Sequence, residues 1–170
     1  SSAWPQEVIA DANRKPVGFV MPAVTGGKPL HLIITPCDRL QHGARLSYSD
    51  LFAIAGNLAR AVATFHHFGL VLADINFSNF LVLNDGTVRI IDCDSVQIGT
   101  KKKFRSAVAM EEFIPPELQG KPIADVTRTA DHDNFGLAVL IFLLLVMGRH
   151  PCSGNGGTPM GVAIARRMHP

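Results

Sequence analysis

The spacing of apolar residues predicts a long amphipathic helix in the first half of this 170-residue chain. Apolar side chains recur three and four residues apart between residues 50 and 67, so one face of the helix is expected to be buried. That face consists of Leu51, Ile54, Ala55, Leu58, Val62 and Phe65. Ser47 and Asp50 suit the free amides of a first helical turn, and Gly69 stands where a helix end favours glycine.

Shorter elements are predicted on the N-terminal side of this helix. Residues 8–10 and 17–21 are apolar runs separated by a polar turn, which is typical of two paired strands. Proline and glycine between residues 22 and 29 indicate a connector, and residues 30–34 are expected to form a short helix.

A hairpin is predicted after the helix, and its position brings polar residues together. Residues 80–91 contain two apolar runs that flank an Asn-Asp-Gly turn. The two open ends of a hairpin are neighbours. Asp74 and Asn79 precede the first strand and Asp92 follows the second. We therefore expect these three side chains to converge.

The C-terminal half is predicted to contain an irregular stretch and two further helices. Residues 95–130 show no regular apolar period, residues 134–147 form a long apolar pattern, and residues 160–168 form a shorter one. The uninterrupted apolar run at 137–147 is shorter than the ~20 residues that a membrane-spanning helix needs. It is therefore expected to be a buried core helix, with no membrane association.

Composition narrows the class of protein. Hydrophobic residues make up 47% of the chain and charged residues 18%, which excludes wholesale disorder. The formal net charge of +2 is too small to indicate nucleic acid or a membrane as a partner. Three widely spaced cysteines without a CxxC pair indicate a reducing, cytoplasmic location and no structural zinc site. Neither end resembles a natural terminus, so a longer parent protein is expected.

The residues that converge at the hairpin are suited to binding a metal ion and a hydroxyl group. Carboxylate and amide oxygens such as those of Asp92 and Asn79 are the ligands that Mg²⁺ prefers, especially when phosphate completes the shell. A further carboxylate, Asp74, could orient an attacking hydroxyl and accept its proton. Taken singly, each of the three is better explained as a turn residue; together at one hairpin, and in the order of the family described next, they indicate a nucleotide–metal site.

These residues resemble motifs of the protein-kinase-like superfamily, in the family's order and at fitting spacings. The segment ADINFSN at 73–79 resembles the catalytic loop HRDLKPxN, and IDCD at 91–94 resembles the metal-binding DFG motif. IPPE at 114–117 is similar to the APE motif that closes the activation segment, and DNF at 133–135 is similar to the start of the central buried helix. More narrowly, the chain resembles a bacterial kinase-like family, some of whose members carry a helix-hairpin-helix module.

The resemblance implies a role for each matching residue of the catalytic loop. Asp74 would be the catalytic aspartate that faces the substrate hydroxyl. Asn76 would stand beside it, in the place of the loop lysine that contacts the γ-phosphate. Asn79 and Asp92 would hold Mg²⁺ on the phosphates of ATP.

The resemblance also implies an adenine site at the connector. Met21 would end the strand that leads to the hinge. The carbonyl group of Pro22 and the amide of Val24 would pair with adenine, since proline lacks only the N–H. Leu81 would pack under the ring.

Other conspicuous residues receive structural interpretations. By resemblance, Glu117 would brace the activation segment and Asp133 would bond the catalytic-loop backbone. The lysine run at 101–103 is expected to be a solvated loop. Ser106 beside it is not favoured as a phosphorylation site, and His66 is expected to interact with the end of its helix.

The chain departs from the family pattern at several positions. Leu72 and Ala73 replace the His-Arg pair, which removes the usual cationic clamp for a phosphorylated activation segment. Regulation by phosphorylation of that segment is therefore not expected. Asn76 removes a positive charge near the γ-phosphate, which should affect transfer more than nucleotide binding. Cys93 and Asp94 replace the Phe and Gly of DFG.

The expected fold class is α+β. It would be a kinase-like C-lobe, mainly α-helical, with a short hairpin at the active site and the last strands of the N-lobe. Residues 1–24 would be these strands and the hinge, and residues 25–170 the C-lobe, truncated at its C-terminal end. The glycine-rich loop, strand lysine and helix glutamate of the family would lie upstream of residue 8.

The expected function is transfer of the γ-phosphoryl group of ATP, with Mg²⁺, to a Ser/Thr hydroxyl of a protein substrate. The complete protein would carry this activity, and the fragment alone would be inactive. The alternative is a non-catalytic nucleotide-binding pseudokinase or scaffold, which Ala73, Asn76 and Asp94 favour. The APE-like segment disfavours a small-molecule kinase. Nucleic acid is expected as a partner only through a separate domain.

Overall fold

A computed structural model describes residues 3–98, 104–154 and 156–169. Strands β1 (Glu7–Ala10) and β2 (Pro16–Val20) form an antiparallel hairpin in which Val8 pairs with Phe19. Its apolar side chains are exposed on both strands. The two strands predicted in this region are confirmed.

The lysine run at 101–103, which was predicted as a solvated loop, lies outside the described residues.

Two short helices follow the connector, one of which the sequence analysis missed. Strand β3 (Lys28–Pro29) leads into the predicted helix α1 (His31–Ile34). Helix α2 (Pro36–Gln41) follows at once. Thr35 caps α2, because its Oγ1 atom accepts a hydrogen bond from the Asp38 amide at 3.1 Å.

Helix α3 (Tyr48–His67) confirms the long amphipathic helix. Ser47 Oγ accepts from the Asp50 amide at 3.3 Å, and Asp50 Oδ2 accepts from the Ser47 amide at 2.7 Å. These reciprocal bonds are a capping box. Ser47 Oγ also donates to Asp50 Oδ2 at 2.7 Å, and this bond, together with the one from the Ser47 amide, holds the pKa of Asp50 below its usual value. The buried residues of the helix are Leu51, Ile54, Ala55, Leu58, Val62 and Phe65, as predicted.

Four short strands shape the region after α3. Strand β4 (Leu70–Val71) pairs with β7 (Gln97–Ile98), while β5 (Phe80–Val82) and β6 (Val88–Ile90) form the predicted hairpin. Strand β3 extends the hairpin into a three-stranded antiparallel sheet in the order β3-β5-β6. The loop from β4 to β5 and the loop from β6 to β7 therefore connect the same two strand pairs and lie next to each other.

Helix α4 (Ala130–Leu145) packs against α3 and begins one turn earlier than predicted. Thr129 supplies the reason, because its amide donates to Nδ1 of His132 at 3.0 Å and starts the helix there. Between β7 and α4, the described residues form only short 3₁₀ turns, at Glu111–Phe113, Pro116–Leu118 and Ile123–Asp125. Helix α5 (Met160–Ala165) confirms the last predicted helix.

The predicted α+β class is confirmed, with the hydrophobic core lying between α3, α4 and the three-stranded sheet. Leu58 and Leu140 are fully buried at its centre. Within the residues that the structure describes, none of the helices combines the length and apolar character needed to cross a bilayer.

Candidate functional site

The loop between β4 and β5 holds Asp74 in a fixed position. Nδ2 of Asn79 donates to the main-chain carbonyl of Asp74 at 2.9 Å and to its carboxylate Oδ2 at 3.1 Å. The other carboxylate oxygen, Oδ1, is buried and accepts no hydrogen bond from the described residues. Asp74 therefore presents one restrained oxygen and one oxygen that lacks a donor.

Asn76 is part of the internal bonding of the same loop. It is 4% exposed. Its Oδ1 atom accepts from the Ser78 amide at 2.8 Å, and its Nδ2 atom lies 3.4 Å from the Asp74 carbonyl oxygen. A side-chain oxygen that accepts from the amide two residues later forms an Asx turn. Asn76 thus shapes the loop and does not point its amide into open space.

Asp92 follows β6 and lies beside this loop. The Ile91 amide donates to the Asn79 carbonyl at 2.9 Å, which ties the end of the hairpin to the residue that holds Asp74. A hydrogen bond with Asp94 raises the pKa of Asp92, and burial and the negative charges of Asp94 and Asp74 act in the same direction. The structure thus brings Asp74, Asn79 and Asp92 together, as the hairpin predicted.

Asp133 anchors the start of the loop from helix α4. Its carboxylate is 2% exposed and accepts from the amides of Leu72 at 2.7 Å and Ala73 at 2.9 Å. This is the bonding that the resemblance implied. His66 adds a third contact, with Nε2 at 2.9 Å from Oδ2 of Asp133. This contact could not be predicted from the sequence, because a histidine near a helix end gives no indication of a partner 67 positions away.

Two residues of the site have left-handed backbone conformations. Ala73 has a φ of 66° and Asp92 a φ of 59°. Such conformations are strained for residues other than glycine, and they persist only where the surroundings impose them. Ala73 directly precedes Asp74, and Asp92 is itself one of the predicted magnesium ligands.

Arg128 is a component of the site that the sequence analysis did not find. It is 4% exposed, and its guanidinium donates to the carbonyl groups of Ala73, Ser106 and Val108. An arginine in an irregular stretch carries no periodic signal, so the residue could be found only from the tertiary structure. Ser106 is also buried, which agrees with the expectation that it is not a phosphorylation site.

The predicted adenine-binding residues lie along the connector and strand β5. Met21 and Pro22 are exposed, while Val24 and Leu81 are half-buried. Neither the Pro22 carbonyl nor the Val24 amide makes a main-chain hydrogen bond with another described residue. The connector lies close to β5 at Gly27, where an added Cβ would come within 3.2 Å of Leu81 Cβ.

Glu117 makes only a distant contact in the described structure. Its carboxylate is more than half exposed and lies 3.9 Å from Nε2 of His132. The bracing role implied for Glu117 stays a prediction.

The donor set fits a magnesium ion that is shared with phosphate. Both side-chain hydrogen bonds of Asn79 with described residues use its Nδ2 atom, so its side-chain oxygen is not engaged in them. A hydrogen bond with Asp94 and burial raise the pKa of Asp92, the negative charges of Asp94 and Asp74 add to the effect, and a divalent cation would offset those charges. In the described ranges, no group of three or more His, Cys, Asp or Glu residues could hold a metal ion. Oxygen ligands from a nucleotide would therefore have to complete the shell.

A family model and two relatives that match this chain all describe protein kinases. The family model of the protein kinase domain matches residues 8–169. Two relatives described as protein kinase YegI, from Escherichia coli O157:H7 and Escherichia coli strain K12, are 43% and 42% identical over 155 residues. These matches cover 89% of this chain and 24% of each relative, so the chain spans about a quarter of their length.

A solved structure supports the fold. The yeast RNA Pol II CTD kinase CTDK-1 complex contains a chain that superposes with a TM-score of 0.65 at 17% identity. The superposition covers 97% of this chain and 49% of that chain. At this identity the likeness concerns the fold alone.

Proposed function

The chain belongs to the protein kinase domain family, and we propose that it is part of a Ser/Thr-type kinase that transfers the γ-phosphoryl group of Mg·ATP to a protein. The observation that carries the proposal is the junction of Asp74, Asn79 and Asp92. In this proposal residues 1–24 are the last N-lobe strands and the hinge, and residues 25–170 are the C-lobe. The reaction takes place in the cytoplasm, and the partners are ATP, a protein substrate and upstream N-lobe residues.

Asp74 receives and orients the attacking hydroxyl. Asn79 fixes Oδ2 of its carboxylate, while Oδ1 is buried without a donor. A substrate hydroxyl that donates to the Asp74 carboxylate would place its own oxygen for attack. The proton that leaves the hydroxyl would be held on that carboxylate.

Asn79 and Asp92 hold the magnesium ion through the Asn79 side-chain oxygen and the Asp92 carboxylate. When bound, the ion neutralises charge on the phosphates and orients them. The raised pKa of Asp92 supports this assignment, since the crowded carboxylates gain from a nearby positive charge. The hydrogen bond from Asn79 to Asp74 couples the metal ligand to the hydroxyl-binding residue.

The connector and strand β5 bind the adenine. The Pro22 carbonyl and the Val24 amide supply one acceptor and one donor that other described main-chain groups do not use. Leu81 packs under the ring, and Met21 directly follows β2, the strand that leads to the hinge. Asn76 orders the catalytic loop from within, through its bonds to Ser78 and Asp74.

The second candidate function is a nucleotide-binding pseudokinase. Asn76 favours it, because its side chain is turned into the loop and supplies no positive charge to a transferring phosphoryl group. A nucleotide could then bind without turnover, and the protein would act as a scaffold.

Phosphoryl transfer by the complete gene product tests the proposal. Wild type, Asp74→Ala and the exposed control Asp131→Ala are incubated with γ-labelled ATP, Mg²⁺ and casein as the acceptor. We expect label on protein with wild type and the control, and a loss of at least two orders of magnitude with Asp74→Ala. ATP binding by Asp74→Ala should stay within about twofold of wild type. Nucleotide binding without transfer by any of the three would support the pseudokinase.

A further inference from the structure

Arg128 joins two separate segments of the proposed active site. It lies just before helix α4, and its guanidinium is buried. One terminal nitrogen donates to the Ala73 carbonyl, and the other donates to the carbonyl groups of Ser106, at 3.4 Å, and Val108. Ala73 directly precedes Asp74, while Ser106 and Val108 belong to the stretch that resembles the activation segment.

The peptide groups around Ala73 are restrained from both sides. Asp133 accepts from the Ala73 amide at 2.9 Å, and Arg128 donates to the Ala73 carbonyl. The left-handed φ of 66° at Ala73 is strained and needs such restraints. The Ala73 carbonyl belongs to the peptide unit that leads into Asp74, so Arg128 sets the plane from which the Asp74 side chain projects.

A second buried residue holds the main chain of Arg128. Nε2 of Gln97 donates to the Arg128 carbonyl at 2.7 Å, and Oε1 of Gln97 accepts from the Arg128 amide at 2.9 Å. Gln97 is fully buried and lies on β7, which pairs with β4 just before the catalytic loop. Gln97 therefore holds the main chain of Arg128, while the three carbonyl acceptors hold its guanidinium.

The charge of Arg128 remains in place in this buried position. Burial lowers its pKa, whereas the nearby carboxylates of Asp133 and Asp74 raise it. A guanidinium stays protonated in proteins under ordinary conditions. The buried, charged guanidinium donates to three carbonyl groups, and each of these hydrogen bonds is charge-assisted. It therefore links the catalytic loop rigidly to segment 106–108.

We propose that Arg128 is a positioning residue that ties segment 106–108 to the Ala73 carbonyl, and thereby orders the acceptor side of the active site without a phosphorylated residue. The inference rests on the proposed kinase function. The cation comes from a different part of the chain than in the family pattern. Ala73 stands where the family pattern has an arginine, and Arg128, 55 positions further on, supplies a cation that binds main-chain oxygens. A phosphate group would have to displace those carbonyl groups to reach it.

Arg105 provides a matched control for substitutions of Arg128. Its Nε atom donates to Thr127 Oγ1 at 2.9 Å and its terminal nitrogen donates to the Asp125 carbonyl at 2.7 Å. Arg105 thus connects the same two stretches of chain, but neither of these bonds reaches the catalytic loop. Arg105→Met and Arg128→Met remove the same charge, and the second also releases the Ala73 carbonyl.

The test compares wild type, Arg128→Met, Arg128→Lys, Gln97→Met and Arg105→Met in the complete gene product. Turnover is measured with Mg·ATP and casein, on protein treated with phosphatase beforehand. For Arg128→Met we expect kcat to fall about tenfold or more, because a slightly misplaced group loses rate steeply. The KM for Mg·ATP should stay within about twofold, since the clamp does not touch the nucleotide residues. Arg128→Lys should retain part of the rate, and Gln97→Met should show a smaller loss.

Amide hydrogen exchange of residues 104–110 supplies a readout that does not depend on activity. We expect exchange there to rise about tenfold in Arg128→Met and by a clearly smaller factor in Arg105→Met, which loses only the bonds to Thr127 and Asp125. Equal exchange in wild type and Arg128→Met would overturn the proposal. So would a wild-type enzyme that loses its turnover after phosphatase treatment, since a phosphate would then be required.

Failure of the proposed function and failure of the clamp give different results. A wild-type protein that labels neither itself nor casein contradicts the kinase proposal, while the exchange comparison still decides whether Arg128 orders segment 104–110. Should Arg128→Met not fold, Arg128→Lys and Gln97→Met carry the comparison. Wild-type exchange rates in both of those variants would contradict the clamp.

Discussion

Nε2 of His66 lies 2.9 Å from the carboxylate of Asp133, and the same carboxylate accepts from two amides of the catalytic loop. One buried side chain therefore joins the end of α3, the start of α4 and the loop that carries Asp74. The loop is held by helices that approach it from different parts of the sequence.

Asp133→Asn should destabilise the protein strongly. The amide can offer only one acceptor oxygen, so one buried donor loses its partner. We expect the free energy of unfolding to fall by about 3 kcal/mol, measured by chemical denaturation. Asp131→Asn, in the exposed first turn of the same helix, should change it by less than about 0.5 kcal/mol. Similar values for the two variants would mean that the Asp133 bonds contribute little.

Gly136→Ala should disturb the contact between α4 and the catalytic loop. An added Cβ would lie 3.0 Å from two carbon atoms of Ile75 and 3.2 Å from the Phe113 carbonyl oxygen. We expect a loss of about 1–3 kcal/mol in the free energy of unfolding, because overpacking forces the backbone apart.

Gly56→Ala is the control for Gly136→Ala. Gly56 lies in helix α3, and an added Cβ would meet no atom within 4 Å. The free energy of unfolding should rise by about 0.5–1 kcal/mol, because alanine favours a helix more than glycine does. Equal destabilisation by both substitutions would contradict a specific close approach at Gly136.

Asp92→Ala should abolish the magnesium dependence of ATP binding. Calorimetry with the complete gene product would compare binding with Mg²⁺ and with EDTA. Wild type should bind ATP at least about tenfold more tightly with Mg²⁺, and Asp92→Ala should bind equally in both conditions. Asp85→Asn, in the exposed turn of the hairpin, serves as the control. A persistent magnesium effect in Asp92→Ala would remove Asp92 from the metal site.

Cys93 should be a poor nucleophile at neutral pH, although it adjoins the proposed metal ligand. Burial raises its pKa to about 11, with the charges of Asp92 and Asp94 adding to the effect. The thiolate is the reactive form, so a raised pKa lowers reactivity until the pH approaches 11.

Alkylation by iodoacetamide, followed by mass spectrometry of peptides, checks this at pH 7.5. We expect Cys93 to react about two orders of magnitude more slowly than the exposed Cys37. Asp92→Ala should accelerate the reaction of Cys93 by removing one negative charge. Equal rates at Cys93 and Cys37 in wild type would contradict the raised pKa.

Local signals predicted the elements that frame the site. Helix α3 could be predicted because six buried positions and a capping box all lie within one continuous segment. The β5–β6 hairpin could be predicted because its turn carries Asn-Asp-Gly. Helix α2 was missed because a helix of six residues depends on packing more than on its own pattern. The start of α4 was placed too late because the Thr129–His132 cap was not recognised.

The spatial arrangement of the site was predicted only in part. Asp74, Asn79 and Asp92 flank one hairpin, so their convergence follows from local structure together with the pairing of two strands. The assignment of the hinge residues depended on the resemblance to kinases. The bracing role of Glu117 also depended on that resemblance. Its distant contact with His132 does not test this role, which stays a prediction.

The amino-acid sequence by itself determined the long helix, the hairpin, the α+β class and the kinase-like motifs, because their signals are encoded between neighbours in the chain. Only the tertiary structure decided which distant groups support them. His66 meets Asp133 across 67 positions, and Arg128 meets Ala73 across 55. Such bonds form because buried polar groups must find partners, and the partner is whichever group the folded chain brings within reach.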